Sequence, residues 1–259
     1  MTAPATDTDK TRALVDEYIR RWAAGDLAGL FALYAPELVF VEHYSGKRYE
    51  GAALRAHVAE LIRRSRLDSL RYTDAIRVDG DTATLQYRET IRSANGGELL
   101  TVHACDVVRV AGECIVEINE YAVPQLTTDE FDQRPRVRPA EKIGLSPRAL
   151  GFLLDDLETY IQRDRPYLEP TLSLQQVAEA TGYSRNQISF ALNQVLGTSF
   201  FAFVNRARVR HLQQIHAEQP GRGIQELATA SGFRSLSTCY AAFRAATGEA
   251  PRSYFKRTC

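Results

Sequence analysis

LQQVAEATGYSRNQISFALNQVLGTSFFAFV, residues 174–204, is followed by a second version of the same pattern, IQELATASGFRSLSTCYAAFRAATGEAPRSYF, at residues 224–255. Each copy begins with a short predicted helix that leads to a glycine, Gly182 in the first and Gly232 in the second. Glycine adopts the left-handed backbone of a tight turn at little cost, so both copies predict a helix, a turn and a second helix. The duplicated spacing therefore predicts two helix-turn-helix units in one chain.

The second helix of each copy is predicted to begin after a serine, Ser184 or Ser235, because serine is a good N-cap. Apolar residues then recur at i, i+4 and i+7, which predicts one inward face: Ile188, Leu192 and Val195 in the first copy, and Cys239, Phe243 and Ala246 in the second. The opposite face is free to read base edges in DNA. The predicted base-reading residues are Arg185, Asn186, Ser189, Phe190, Arg234, Leu236, Ser237 and Tyr240. An ordinary helical bundle is the alternative, and two aligned copies disfavour it.

The chain from Tyr167 onward resembles the DNA-binding domain of the AraC/XylS family of bacterial transcription regulators. The resemblance lies in YLEPTLSLQQVA, GYSRNQIS and GTSFFAFVNRARV in the first half and in IQELA, GFRSLSTCYAAF and TGEAPRSYF in the second. It implies an all-α domain of seven helices, in which a linker helix over roughly residues 199–214 joins two recognition helices. It also implies a double-stranded DNA operator read in two successive major grooves, with RNA polymerase as a further partner to consider.

The charge distribution supports the same partner. Residues 171–259 hold ten Lys/Arg against four Asp/Glu, a formal +6, whereas residues 1–170 hold 22 against 28, a formal −6. A basic surface binds DNA by releasing counterions from the phosphate backbone. The predicted phosphate contacts are Ser184, Arg206, Arg208, Arg210, Ser235, Arg244, Arg252, Lys256 and Arg257.

Proline and charged residues dominate residues 124–146, which show no sustained periodicity and are predicted to be a linker. The expected domains are therefore residues 1–123 and residues 147–259. No apolar run approaches the length of a membrane span, and the first residues lack the layout of a secretory signal, so we expect a cytoplasmic protein that does not bind a membrane. The four cysteines show no C-x-x-C pair and no clustering with histidines, so we expect reduced thiols, no metal and no cofactor.

Helical periodicity in the first residues of the N-terminal half gives way to several strand-like runs separated by turns, which predicts an α+β fold with a curved antiparallel sheet wrapped on helices. Residues 8–122 resemble the SnoaL-like branch of the nuclear transport factor 2-like superfamily. The matching pieces are YIRRWAAGDLAGLFALYAPELVFVEH, a glycine at Gly51 that opens a helix, and VHACDVVRVAGECIVEINEYAVP.

The SnoaL-like resemblance implies a pocket between the sheet and the helices, in a family that includes cyclases, isomerases, hydrolases and non-catalytic binders. An Asp that this family often has two residues after the last-strand tyrosine is absent, because Tyr121 is followed by Ala122 and Val123. We therefore expect no enzyme activity. The candidate pocket residues are Trp22, Phe31, Tyr34, Phe40, His43, Tyr49, Tyr87, His103 and Tyr121. For His43 and His103 three roles stay open: a satisfied core residue, a ligand anchor or a general base.

These patterns together predict a DNA-binding transcription regulator whose N-terminal domain senses a small hydrophobic or aromatic ligand and forms a homodimer. Two alternatives remain for the N-terminal domain: a catalytically active cyclase or isomerase, or a domain that serves only for dimerisation.

Overall fold

The computed structural model describes residues 6–65, 69–92, 96–125 and 143–258, with the backbone alone for 257 and 258. The chain divides into two compact units, Met1–Phe152 and Leu153–Cys259. This division falls inside the helix Pro147–Arg163, shortly after the predicted start of the C-terminal domain. Of the predicted linker, Pro124 ends up in a strand, and residues 126–142 lie outside the described residues.

The first unit begins with helices and continues into strands, as the sequence predicts. Its helices are α1 (Asp7–Ala24), α2 (Leu27–Ala32) and α3 (Gly51–Arg64). Its strands are β1 (Tyr34–Glu42), β2 (Lys47–Tyr49), β3 (Leu70–Tyr72), β4 (Arg77–Asp79), β5 (Thr82–Arg92), β6 (Glu98–Ala111) and β7 (Cys114–Gln125). The helix α4 (Pro147–Arg163) starts in this unit. The predicted α+β fold class is confirmed.

The strands form one seven-stranded sheet in the order β2-β1-β7-β6-β5-β3, with β4 also paired to β5. Neighbouring strands are antiparallel except for β1 and β7, which are parallel, so the sheet is mixed rather than wholly antiparallel. The first strand begins at Tyr34 and includes Pro36. The β1–β7 register shifts between Tyr34 and Val39, and such an irregularity lets a strand accommodate a proline.

Side chains from the helices and from one face of the sheet form the core of the first unit. Val15 and Tyr18 of α1 pack with Leu38, Leu85 and Ile118 from three strands, and all five side chains are almost completely buried. The strands β5, β6 and β7 alternate buried and exposed residues along much of their length, which is typical of a sheet with one packed face. This alternation decides which polar side chains point into the interior.

The second unit is helical. It contains the rest of α4 and then α5 (Leu174–Thr181), α6 (Arg185–Phe190), α7 (Phe200–Glu218), α8 (Ile224–Ala230), α9 (Leu236–Thr247) and α10 (Pro251–Thr258). Between residues 147 and 258 there are thus seven α-helices, the number implied by the resemblance. The linker helix α7 begins after the N-cap Ser199 and extends past its predicted end.

The helix α6 continues into a π-helical turn, Ala191–Val195, which carries two of the three residues of the predicted apolar stripe. That stripe is buried in the first copy, at Ile188, Leu192 and Val195. In the second copy Cys239 and Phe243 are completely buried, but Ala246 is exposed, which corrects the predicted stripe at its last position.

In the described part of the chain, no single helix has the length and apolar composition required to cross a membrane. One bent pair of helices, Arg185–Val195 and Phe200–Glu218, meets these two criteria jointly, with an angle of 75° between its members.

Candidate functional site

The first helix-turn-helix unit is built by local capping interactions. Ser173 caps α5 in a capping box with Gln176, and Ser184 caps α6 in a second box with Gln187. Between them Gly182 has a φ of 77°, and its N–H donates to the carbonyl of Ala178 at 3.0 Å. This left-handed residue ends α5 and turns the chain into α6, as the sequence predicts.

The second helix-turn-helix repeats this arrangement with one additional residue in the turn. Gly232 has a φ of 81°, and Ser235 accepts a hydrogen bond from the N–H of Thr238 at 3.2 Å at the start of α9. The turn from Gly232 to Ser235 contains Phe233 and Arg234, whereas only Tyr183 lies between the corresponding glycine and serine of the first copy. The extra residue of the second copy is therefore in the turn, where it leaves both helices intact.

The outer faces of α6 and α9 present polar and aromatic side chains to solvent. Among the predicted base-reading residues, Arg185, Asn186, Arg234, Leu236 and Ser237 are exposed. Ser189, Phe190 and Tyr240 are half-buried, at the borders of these faces. The opposite faces are held in the core, so the orientation of each helix is fixed by packing.

Arg208 was predicted to contact phosphate, and the structure corrects this prediction. Its side chain is buried, with Nε donating to the carbonyl of Tyr167 at 2.8 Å and Nη2 donating to the carbonyl of Glu169 at 2.9 Å. A guanidinium held in this way ties the segment before α5 to α7 and is not free to bind DNA. The other predicted phosphate contacts that the structure describes are exposed: Ser184, Arg206, Arg210, Ser235, Arg244, Arg252 and Lys256. The side chain of Arg257 lies outside the described residues.

A cavity of about 290 Å³ lies inside the first unit, between the sheet and the helices α1 and α3. Its apolar wall includes aromatic side chains from helix and sheet: Tyr18, Trp22, Phe40, Tyr72 and Tyr87. Its polar wall is formed by Glu89, Asp106, Glu120 and Arg148. The cavity is thus mostly apolar, with a few convergent charged groups, which is the usual composition of a small-molecule site.

A buried arginine organises the polar wall. Arg148, near the start of α4, donates from Nε to Glu89 at 2.5 Å, from Nη1 to Glu120, and from Nη2 to the hydroxyl of Tyr87 at 2.7 Å. The Tyr87 hydroxyl in turn lies 3.1 and 3.2 Å from the two oxygens of Asp106 and 3.3 Å from Oε1 of Glu120, so these three acceptors share its single proton. Each of these charged groups is more than nine-tenths buried. Charged groups so deep in a protein are stable only when paired, and the single guanidinium is shared between two carboxylates.

Burial shifts the proton affinity of the groups in and beside this cluster. Desolvation, assisted by the nearby charge of Glu120, raises the pKa of Asp106 to about 8, so this carboxyl group carries a proton at neutral pH. Desolvation also raises the pKa of Glu42, which accepts a hydrogen bond from Ser45 at 2.8 Å. Burial, with the charges of Arg148 and Lys47, lowers the pKa of His57 to about 4, so its ring is neutral at pH 7.

Several predicted pocket residues lie elsewhere. Trp22, Phe40 and Tyr87 line the cavity, whereas Phe31, Tyr34 and Tyr49 pack against the core without bordering it. His43, His103 and Tyr121 are exposed on the other side of the sheet, which corrects their assignment to the pocket. The His43 ring stacks on Tyr121 with 4.2 Å between ring centroids, and the ring nitrogens of His43 and His103 are hydrogen-bonded to the surface residues Asn119 and Gln125.

The charged residues of the cavity are not among the pocket residues predicted from the sequence. Strand alternation could have found three of them, because Glu89, Asp106 and Glu120 each lie two residues from buried apolar neighbours on the same face. Arg148 had no such signal, since it is 59 residues from Glu89 in the chain. Within the described residues no group of three His, Cys, Asp or Glu side chains is arranged to hold a metal ion.

Comparisons with known protein families agree with this geometry. Residues 167–257 match a helix-turn-helix domain of the AraC type, and residues 15–118 match a SnoaL-like domain. The first match supports a DNA-binding transcription regulator. No match was found among curated proteins.

Several solved structures are similar to part of this chain. An NTF2-like protein of unknown function from Mesorhizobium loti is 23% identical, with 47% of this chain and 97% of that chain covered and a TM-score of 0.38. An NTF2-like protein from Burkholderia xenovorans LB400 is 16% identical, with 46% and 93% covered and a TM-score of 0.38. A protein of ketosteroid isomerase-like fold from Catenulispora acidiphila, solved with trimethylamine, is 18% identical, with 42% and 83% covered and a TM-score of 0.36. The family matches are more specific: the chain carries a SnoaL-like domain followed by an AraC-type helix-turn-helix domain.

Proposed function

We propose that this chain is a sequence-specific transcription regulator whose affinity for its operator responds to a small hydrophobic or aromatic effector bound in the N-terminal cavity. The observation that carries the DNA-binding part is the pair of capped helix-turn-helix units, each with its recognition helix packed on one face and exposed on the other. The proposed base contacts are those made by the exposed residues Arg185, Asn186, Arg234 and Ser237, with Leu236 against a thymine methyl.

Phosphate contacts in this proposal come from two kinds of group. The exposed caps Ser184 and Ser235 stand at helix N-termini, where backbone N–H groups and the helix dipole favour an anion. Exposed basic side chains, Arg206, Arg210, Arg244, Arg252 and Lys256, supply the counterion release that makes binding salt-dependent. A protein that binds chromosomal DNA works in the cytoplasm of a bacterium, which is the location we propose.

The effector part of the proposal is supported by the mostly apolar cavity in the first unit, whose wall includes five aromatic side chains. A ligand changes DNA affinity only if it binds one state of the protein better than another. We further propose a homodimer formed through the N-terminal domain, for which the exposed Tyr121 and Val123 on the outer face of β7 are suitable apolar contacts. RNA polymerase is the proposed second macromolecular partner of the DNA-bound form.

A second candidate function is catalysis in the N-terminal domain. Asp106 favours it, because a carboxyl group that borders a cavity with a pKa near neutrality is suited to proton transfer. The tight pairing of Arg148 with Glu89 and Glu120 favours a binding role instead, since these groups are already satisfied by one another. Chemical conversion of a bound compound, followed by mass spectrometry, distinguishes the two: a sensor returns its effector unchanged.

The effector proposal is tested by measuring operator affinity with a panel of small aromatic compounds. Leu85→Phe fills the cavity, whose wall includes Leu85, and should abolish the response to any active compound at a stability cost of about 1–3 kcal/mol. Glu113→Phe adds a ring at an exposed position outside both the cavity wall and the proposed dimer contacts, and it is the matched control. If Leu85→Phe responds as strongly as the parent protein, the effector does not occupy this cavity.

A further inference from the structure

The polar wall of the cavity contains three carboxyl groups and one buried cation. Glu89, Asp106 and Glu120 come from the neighbouring strands β5, β6 and β7, and Arg148 is the buried cation that faces them. A second cation, Arg71, borders the cavity but is exposed to solvent. The carboxyl groups thus outnumber the buried base, and the protonated Asp106 is the one that a further positive charge in the cavity would ionise.

Asp106 is the acid of this group to which Arg148 donates no hydrogen bond, although the guanidinium charge opposes the rise in its pKa. The three guanidinium nitrogens donate to Glu89, to Glu120 and to the Tyr87 hydroxyl. Among the described residues, Tyr87 is the one hydrogen-bond donor to Asp106, and its single hydroxyl proton is within reach of both carboxyl oxygens. Asp106 can therefore accept a positively charged partner without breaking the ion pairs of Arg148.

The rest of the cavity suits an organic cation. Tyr18 and Trp22 from α1 and Tyr72 from β3 line it, and aromatic faces attract ammonium groups by cation–π interaction. At about 290 Å³ the cavity is at the lower end of the size range for small-molecule sites, so its occupant is compact.

We propose that the effector is an organic cation, an amine or quaternary ammonium with a compact apolar or aromatic body, whose charged nitrogen pairs with Asp106. This inference rests on the proposed effector role of the cavity and names the chemical class of its occupant. Anionic and neutral compounds of the same shape lack the charge that Asp106 would pair with, and an anion would lie close to the acidic side chains of Glu89 and Glu120.

Cation binding is coupled to the protonation of Asp106. The groups that face this carboxyl are Tyr18, Tyr34, Tyr72, Tyr87, Glu120 and Arg148. In the empty cavity burial and Glu120 keep Asp106 protonated at pH 7, whereas a bound cation stabilises the carboxylate. Binding at pH 7 should therefore release up to about one proton to the buffer.

The test uses the full-length protein and two isosteric pairs of probes, benzylammonium with benzyl alcohol and benzyltrimethylammonium with neopentylbenzene, together with phenylacetate as the anion. Binding is measured by quenching of Trp22, the one tryptophan of the chain, and by calorimetry in two buffers of different ionisation enthalpy. We expect at least one cation to bind tenfold or more tightly than its neutral isostere and to release a proton.

Asp106→Asn keeps the shape of the neutral carboxyl group. It should remove both the preference for cations over their neutral isosteres and the release of a proton on binding. Glu113→Gln, which removes an exposed carboxylate, is the matched control and should change neither. Equal or tighter binding of the neutral or anionic probes overturns the inference while leaving an effector cavity in place. Absence of binding by every probe overturns both the inference and the effector proposal. The proposal that the chain binds DNA is tested by a separate measurement and does not depend on the binding of these probes. A cation preference that survives in Asp106→Asn also overturns the inference.

Discussion

Replacing Arg148 with methionine tests the buried charge cluster most severely. Methionine has a similar length and no charge, so Arg148→Met leaves the packing largely intact and removes the partner of Glu89 and Glu120. The arginine side chain is 9% exposed and the two carboxylates are 3% and 2% exposed, so water cannot replace the missing guanidinium. Removing one partner of such a buried pair costs about 3–5 kcal/mol.

This cost is a large part of the stability of a small unit, which is about 5–15 kcal/mol. For a unit of this size it corresponds to a decrease in melting temperature of roughly 10 °C. Trp22 is the one tryptophan in the sequence and lies in the first unit, so its fluorescence follows the unfolding of that unit in the full-length protein. Urea titration of both proteins, monitored at this tryptophan, measures the difference in the free energy of unfolding.

Two further variants separate charge from packing. Arg20→Met removes an arginine that is 70% exposed and paired to Glu17 at the surface, and it should change stability by about 1 kcal/mol or less. Adding Glu89→Gln and Glu120→Gln to Arg148→Met removes the unpaired charges and should recover most of the loss. An Arg148→Met protein as stable as the Arg20→Met control would refute the description of a buried, mutually dependent cluster.

Three other predictions concern single positions. Burial keeps Asp106 protonated in the folded state up to a pH of about 8, whereas the unfolded chain releases this proton near pH 4, so the stability that Asp106 contributes falls as pH rises between these values. Asp106→Asn should therefore gain stability relative to the parent as pH rises from 5 to 7, measured by urea titration at each pH, and a constant difference would contradict the assigned protonation. Gly232→Ala should destabilise the helical unit more than Gly182→Ala. Both glycines have a positive φ, so alanine costs about 1–2 kcal/mol at either position, but only at Gly232 would the added Cβ lie 2.3 Å from the Tyr167 carbonyl oxygen. Thermal unfolding followed by helical circular dichroism compares the two variants, and equal decreases in melting temperature would argue against this close contact. Arg208→Met should lower the stability of the helical unit by about 2 kcal/mol or more, because two backbone carbonyls lose their hydrogen-bond donor. Arg210→Met should leave stability unchanged and reduce the salt dependence of DNA binding. The reverse pattern would show that Arg208 contacts phosphate.

The helix-turn-helix units could be predicted from the sequence because their determinants are local. Gly182 and Ser184 lie within three residues of one another, and each acts on the backbone of the adjoining helix. The apolar stripe is equally local, and it placed Ile188 and Cys239 correctly in the core. The helices, their order and their exposed faces could therefore be predicted from the sequence.

The cavity could be predicted only in outline because its polar wall depends on long-range pairing. In a strand, a shift of one residue moves a side chain to the other face, and this is why His43 lies outside while Glu42, its neighbour, lies inside. Arg208 was misplaced for a similar reason, since its partners, the Tyr167 and Glu169 carbonyls, belong to a distant segment. Arg148 reaches its carboxylates only after the chain has folded, so no local pattern marks it.

The central claim is that this chain is a sequence-specific DNA-binding regulator. The most direct test selects duplexes from a random library with the full-length protein. The affinities for the enriched site and for a shuffled duplex are then measured over a range of salt concentrations. The account predicts that the enriched site binds at least about 10³-fold more tightly than the shuffled one, and that both affinities fall linearly with the logarithm of salt concentration. We also expect Asn186→Ala to weaken binding to the enriched site by about 1–3 kcal/mol and to leave binding to the shuffled duplex unchanged. Arg252→Ala should weaken binding to both duplexes alike. Failure to enrich any sequence, or affinities that do not change with salt, would contradict the claim.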